Sequence, residues 1–221
     1  INSCLSKIEL ASNHLLELIN DILDMSKIES GKLSLKESPL NLAELIHNLI
    51  SLINPQLKEH QHELHVETYN ISDEYLLGDT VRLNQIFTNI LSNSIKFTPR
   101  GGKLKLEIKQ LTLAPTGYGH FRFVFSDNGI GMTKDELEKN LGTIAHSGSL
   151  DFKKDNQDES IDIIGQFGVG FYSAFMVADK VTIDTLSYKP DAKPVHWESE
   201  GGTEFDMKEG TKEGHGTVIT L

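Results

Sequence analysis

Apolar residues in the first thirty positions fall on two lines, Ile1, Ile8, Leu15 and Ile22 on one and Cys4, Ala11, Leu18 and Met25 on the next. This is the heptad pattern of a coiled-coil or helical-bundle seam, about four repeats long. A helix packed on its own domain would show the same stripe. We read it as a self-association surface, a homodimer formed through an N-terminal helix over residues 1–30. Ser30 and Gly31 end that helix, and the alternation in residues 32–36 predicts a short strand before Pro39. Asn41-Leu-Ala-Glu44 has the form of a capping box. Leu42, Leu45, Ile46, Leu49, Ile53 and Leu57 then recur at helical spacing to about His60.

Residues 62–69 predict another strand, and a helix follows from Thr80 to about Phe97, stopping before Pro99 and Gly101-Gly102. Two alternating strands, 103–111 and 121–125, flank a turn-rich connection that contains Pro115, Gly117 and Gly119. Thr133-Lys-Asp-Glu136 is a second capping box, opening a short helix to about Leu141. Residues 147–160 are polar with little to bury, and 168–178 read as a helix. From Lys180 to Leu221 the alternation gives several strands. Helices gathered on one side of a mostly antiparallel sheet make the fold class α+β, a two-layer sandwich over residues 31–221 preceded by the long N-terminal helix.

Composition narrows the partners. The net charge of −11, from 32 acidic and 21 basic residues, disfavours a nucleic-acid phosphate surface or an anionic membrane. The single cysteine, Cys4, rules out an internal disulfide framework, and no apolar run approaches the roughly 20 residues that span a bilayer. We therefore expect a cytoplasmic protein. Its first residues already lie within a helical pattern, so we take the chain for a fragment of a longer one.

The helix at 80–97 aligns Arg82, Asn89, Asn93 and Lys96 on one face, being spaced by seven, four and three residues. Amide oxygens are hard ligands suited to Mg²⁺, and an ammonium can meet phosphate directly. Taken alone, the same face could simply be solvated. Asp127-Asn-Gly-Ile-Gly-Met132 follows a strand. A carboxylate there can accept from the exocyclic amine of adenine, Gly129 and Gly131 let backbone approach a flat ring, and Met132 offers a polarizable wall. Gly165, Gly168 and Gly170 open a helix, where free N–H groups favour a phosphate. Each signal alone is also compatible with ordinary turns, but their order defines a nucleotide site. No Gly-Lys-Ser/Thr follows the glycines, which excludes a P-loop, and no parallel βαβ unit carries Gly-x-Gly-x-x-Gly, which excludes a Rossmann site. A Bergerat-type ATP site remains.

The chain resembles two families in turn. His14-Leu-Leu-Glu-Leu-Ile-Asn-Asp-Ile-Leu-Asp-Met-Ser-Lys-Ile-Glu-Ser-Gly31 resembles the second dimerisation helix of bacterial sensor histidine kinases, and Asp79 to Thr98 resembles their N box. By that resemblance Asn89 and Asn93 hold Mg²⁺ and the phosphates, with Lys96 beside them. From about Met132 the chain resembles the ATP-binding domain of heat shock protein 90 chaperones, especially bacterial ones. The matching segments are Thr133-Lys-Asp-Glu-Leu137, Asn140 to Gly148, Ile164 to Ala174, Trp197-Glu-Ser199 and Gly216-Thr217. This resemblance implies that Asp127, Gly131 and Met132 contact adenine and Asn140 the ribose side. It also places Gly168, Val169 and Gly170 at the γ-phosphate, Phe171 in the pocket wall, and Thr217 at adenine through water, with a lid over about 142–163. The segment 127–132 is nearly common to both families. We therefore read the chain as an engineered chimera, kinase-like to about 127 and chaperone-like from about 132.

That reading has chemical consequences. Chaperones of this type carry a glutamate one helical turn before the Mg²⁺-binding asparagine, and this chain has Asn89 there, so slow or absent hydrolysis is expected. None of the nine histidines has the context of a kinase acceptor, so autophosphorylation is not expected. His146 stands where the chaperone pattern has lysine. ATP or ADP with Mg²⁺ are the implied ligands, and purine-pocket chaperone inhibitors are implied as further ones.

Overall fold

A computed structural model describes residues 34–112, 114–142, 173–201 and 204–221, together with Ile19 and Leu23. The heptad seam, the lid and the second glycine loop lie outside these residues; Ile19 and Leu23 are helical and exposed.

The first strand, β1 (Ser38–Asn41), begins later than the alternation at 32–36 suggested. Its antiparallel partner is β3 (Tyr75–Gly78), which the sequence reading did not assign to a strand. Pro39 is tolerated because a two-stranded sheet leaves an open edge that needs no donor. Helix α1 (Leu42–His60) starts where expected: the Asn41 side chain accepts from the Glu44 N–H at 2.9 Å, supplying one of the otherwise orphan donors. Its periodic residues Leu42, Leu45, Ile46, Leu49, Ile53 and Leu57 are all buried.

Helix α2 (Thr80–Phe97) is capped by Asp79, whose Oδ1 accepts from the Arg82 N–H at 3.1 Å and Oδ2 from the Lys36 N–H at 2.9 Å. Ile86, Phe87, Ile90, Leu91, Ser94 and Ile95 form its buried stripe.

Seven strands make the main sheet: β2 (Glu63–Tyr69), β4 (Lys103–Leu111), β5 (His120–Asp127), β6 (Val181–Leu186), β7 (Val195–Ser199), β8 (Asp206–Glu209) and β9 (Gly216–Thr220), in the order β2-β4-β5-β9-β6-β7-β8. Only β2 and β4 run parallel, so the sheet is mixed and mostly antiparallel. Because side chains alternate across a strand, Leu104, Leu106 and Ile108, Phe125, Ile183 and Trp197 all enter one core with the helix stripes. Each large apolar side chain so buried contributes about 1.5–3 kcal/mol. This gives the expected two-layer α+β sandwich.

The helix expected after Thr133 is shorter than the sequence suggested. Thr133 and Glu136 form a complete reciprocal capping box, but α3 spans only Lys134–Leu137 before the wider π-turn Glu138–Gly142. Of the helix expected at 168–178, the described part is a 3₁₀ turn, Ser173–Met176.

Candidate functional site

Three adjacent strands and α2 converge on one carboxylate. Asp127 is the last residue of β5 and points to the helix side of the sheet, as do Thr217 at the start of β9 and Thr185 near the end of β6. Its Oδ1 accepts from the Gly129 N–H at 2.9 Å and the Thr217 N–H at 3.1 Å, and its Oδ2 from the Ser94 hydroxyl at 3.2 Å. Burial pushes this carboxyl above the ordinary aspartate range, against the opposing pull of the Gly129 and Thr217 N–H groups, the Ser94 hydroxyl and the Lys212 charge. A carboxylate offers about four acceptor positions, so among the described residues the second position on Oδ2 stays open to a further donor.

Behind it, Thr185 is fully buried and its hydroxyl acts as a junction. It accepts from the Met132 N–H at 2.9 Å, lies 3.2 Å from the Gly216 carbonyl, and lies 3.2 Å from the Thr217 hydroxyl. Thr217 thus meets Asp127 through its backbone and Thr185 through its side chain.

The loop from Asp127 to Met132 is fastened along its length. The Asn128 side chain accepts from the Lys103 N–H at 2.7 Å, and the Ile130 N–H donates to Phe97 O at 3.0 Å, satisfying a terminal carbonyl of α2. The Gly129 carbonyl meets His215 Nδ1 at 2.7 Å.

The glycines serve the chain's own packing. A Cβ on Gly129 would lie 2.6 Å from Phe97 O and 2.8 Å from Asp127 Oδ1. On Gly131, at φ +59°, it would lie 1.9 Å from Leu186 O. The motif alone suggests the approach of a flat ring; the structure supplies a nearer reason for these glycines, the contact of the loop with α2 and β6.

On α2, Asn89 is half-buried while Asn93 and Lys96 are exposed, and the Lys96 ammonium lies 5.7 Å from the Phe97 ring centroid. Asn89 and Asn93 are one helical turn apart, so both amides project from the same side. Among the described residues no cluster of three His, Cys, Asp or Glu side chains could hold a metal ion. Two amide oxygens therefore fit Mg²⁺ only as partial ligands, with phosphate oxygens and water completing the shell.

Asn140 is exposed on the π-turn, and Met132 packs against the core. Gly168, Val169, Gly170 and Phe171 lie outside the described residues. Two residues escaped the sequence reading: Ser94, one position from Asn93 but turned inward, and Thr185. Ser94 was detectable as a hydroxyl on the apolar line, four residues after Ile90. Thr185 was hidden in an alternation that any buried strand threonine would satisfy.

The fold and this strand-end carboxylate define a class of nucleotide-handling domains. Residues 78–221 match the histidine kinase-, DNA gyrase B- and HSP90-like ATPase family, and the chain belongs to it. Chaperone protein HtpG of Shouchella clausii is 58% identical over 101 residues, 45% of this chain and 16% of the chaperone. HtpG of Bacillus velezensis is 59% identical over 97 residues, 43% of this chain and 15% of the chaperone. The chain thus spans about a sixth of the length of the chaperones it matches.

Solved structures share the fold over almost the whole chain. Full-length ShkA in complex with AMPPNP superposes with a TM-score of 0.59 at 20% identity, covering 99% of this chain and 37% of that one. The histidine kinase AdeS of Acinetobacter baumannii gives 0.54 at 14% identity, covering 99% and 81%. At these identities the likeness is one of fold. High identity to chaperones covers less than half of the chain, whereas the likeness of fold covers almost all of it. Among the described residues, no helix is long and apolar enough to cross a membrane.

Proposed function

We propose that this chain is an adenine-nucleotide-binding domain of hybrid origin that takes ATP or ADP with Mg²⁺ and hydrolyses ATP very slowly. The observation that carries the reading is Asp127: a desolvated carboxylate with three acceptor positions filled and, among the described residues, one on Oδ2 left open. An adenine amine is the matching donor. Guanine presents a carbonyl oxygen at the corresponding position and would be repelled. The AMPPNP complex of ShkA supports the ligand class.

Asn89 and Asn93 would hold the metal through their amide oxygens, with Lys96 beside the phosphates; the bound ion would neutralise phosphate charge. Asn89 occupies the helical position from which a chaperone-type glutamate activates water. An amide cannot take that proton, and loss of a general base costs about 10²–10⁴ in rate. Autophosphorylation fails for a different reason, the lack of a histidine in acceptor context. The hybrid reading is supported by high identity to the chaperones over only 45% of the chain, beside the kinase N-box resemblance of residues 79–98. Purine-pocket chaperone inhibitors should share the Asp127 side of the pocket, and the heptad seam would make the protein a homodimer.

Titration calorimetry with ATP, ADP and GTP in Mg²⁺ tests the reading. Saturable binding of ATP and ADP with none of GTP is expected, and equal affinity for GTP would overturn the adenine assignment.

A further inference from the structure

The sheet face turned away from the helices carries a second feature that does not depend on the nucleotide reading. There β2, β4 and β5 present Glu67 and Tyr69, Lys105, Glu107 and Lys109, and Arg122 and Val124. Lys105 engages both nearby carboxylates: its ammonium pairs with Glu67 at 3.0 Å and also with Glu107, and the Tyr69 hydroxyl donates to Glu67 as well. Those acids are occupied. Lys109 and Arg122, directly opposite one another in the β4–β5 register, have no ion-pair partner among the described residues.

Like charges facing across a strand pair are destabilising. Two such cations on a chain of net charge −11, which has acids in excess, are not explained by the fold. Together with Tyr69, Glu107 and Val124 they line a concavity of about 220 Å³. Tyr69 is 44% exposed, so its ring can receive a ligand, and Val124 adds an apolar surface beside it.

We infer that this concavity binds a small phosphomonoester, its dianionic head between the Lys109 ammonium and the Arg122 guanidinium and its organic part against Tyr69 and Val124. A monoester carries close to two charges at neutral pH, matching the two cations, and the guanidinium fork suits two phosphate oxygens at once. The volume is below the roughly 300–1,000 Å³ of pockets for drug-sized ligands, which favours an aryl or short alkyl phosphate over a nucleotide. Glu107, which also lines the concavity, disfavours a second anionic group on the ligand. The site faces away from Asp127, so the two sites share no side chain.

The test is titration of the full chain with phenyl phosphate at pH 7.5, followed by ³¹P NMR and calorimetry. One-to-one binding is expected, weakened at least tenfold by Arg122→Gln and by Lys109→Gln, and unchanged in Asp127→Asn or with excess ATP. Arg122→Lys, which keeps the charge but not the fork, should lie between and serves as the reading should Arg122→Gln not fold. Inorganic phosphate should bind several-fold more weakly, for want of the ring contact. No saturable binding, binding that survives all three cation variants, competition by ATP, or equal affinity for inorganic phosphate would each overturn the inference.

Discussion

Ser94 on α2 and Asp127 at the end of β5 are 33 positions apart in sequence, yet the serine hydroxyl donates to Oδ2 at 3.2 Å. From the other side, Thr217 gives its backbone N–H to Oδ1. The carboxylate is thus held by one donor from each side of the proposed junction at 127–132, so any two parental halves must agree in geometry at this point. Ser94→Ala removes one of the opposing forces that keep Asp127 ionised. Adenine-nucleotide affinity should fall about two- to tenfold, and calorimetry at pH 7.5 against the parent chain gives the ratio.

The same carboxylate sets a pH dependence. Its folded-state pKa is raised, chiefly by burial, so its protonation favours the folded apo protein; that contribution is present at low pH and is lost as pH rises through the folded pKa. Ligand binding has the opposite sense, because the ionised form is the better acceptor for an amine. Affinity for ADP should therefore decline on acidification from a pH above the ordinary aspartate value of about 3.9. Asp127→Asn should flatten that decline and lower affinity at neutral pH roughly ten- to over a hundredfold. The apo fold should survive, because the amide oxygen can still accept from Gly129 and Thr217 while the Ser94 hydroxyl reverses its role. A titration curve that keeps its acid limb in Asp127→Asn would assign the dependence to another group.

Asn89→Glu restores a carboxylate one turn before Asn93. If the missing proton acceptor limits turnover, phosphate release should rise by about 10²–10⁴. Turnover in Asn89→Glu equal to that of the parent would place the defect elsewhere in the site.

Legibility in the sequence followed the range of the interactions. The α1 stripe from Leu42 to Leu57 and the extent of α2 from Thr80 to Phe97 were readable because helix periodicity and helix stops are local, and both are as expected. β1 was misplaced by several residues because its partner β3 is contributed from beyond α1, and no local signal records that pairing. Asp127 stood out through its glycine neighbours, yet the reason for those glycines lay in Phe97 O and Leu186 O, both distant in sequence. Ser94 and Thr185 were missed because a buried hydroxyl becomes meaningful only once its acceptor or donor has been placed beside it.

Thr185→Val keeps the side-chain volume and removes the hydroxyl. The Met132 N–H then loses its acceptor and the Thr217 hydroxyl its neighbour, at a cost of about 1–3 kcal/mol. Chemical denaturation should show this as a lower midpoint with unchanged slope. Because Met132 closes the Asp127 loop, affinity for ADP should fall as well. An unchanged midpoint would show that Met132 finds another acceptor.

Asp79 provides a separate pH-dependent contribution, away from the nucleotide site. Burial opposes its ionised form, but the N–H groups of Lys36 and Arg82 and the Arg82 guanidinium outweigh that, and its pKa is lowered. For a carboxyl depressed on folding, the stabilisation is complete above the unfolded value, about 3.9, and is lost as pH falls through the folded value. Asp79→Ala should cost about 0.5–2 kcal/mol at pH 7, the range for loss of an N-cap. The gap between the two proteins should close as the pH falls below 3.9, because the parent then loses the same charge. Denaturant midpoints measured across that range read the convergence directly, and a gap that stays constant into the acid would mean that Asp79 acts through packing rather than through its charge.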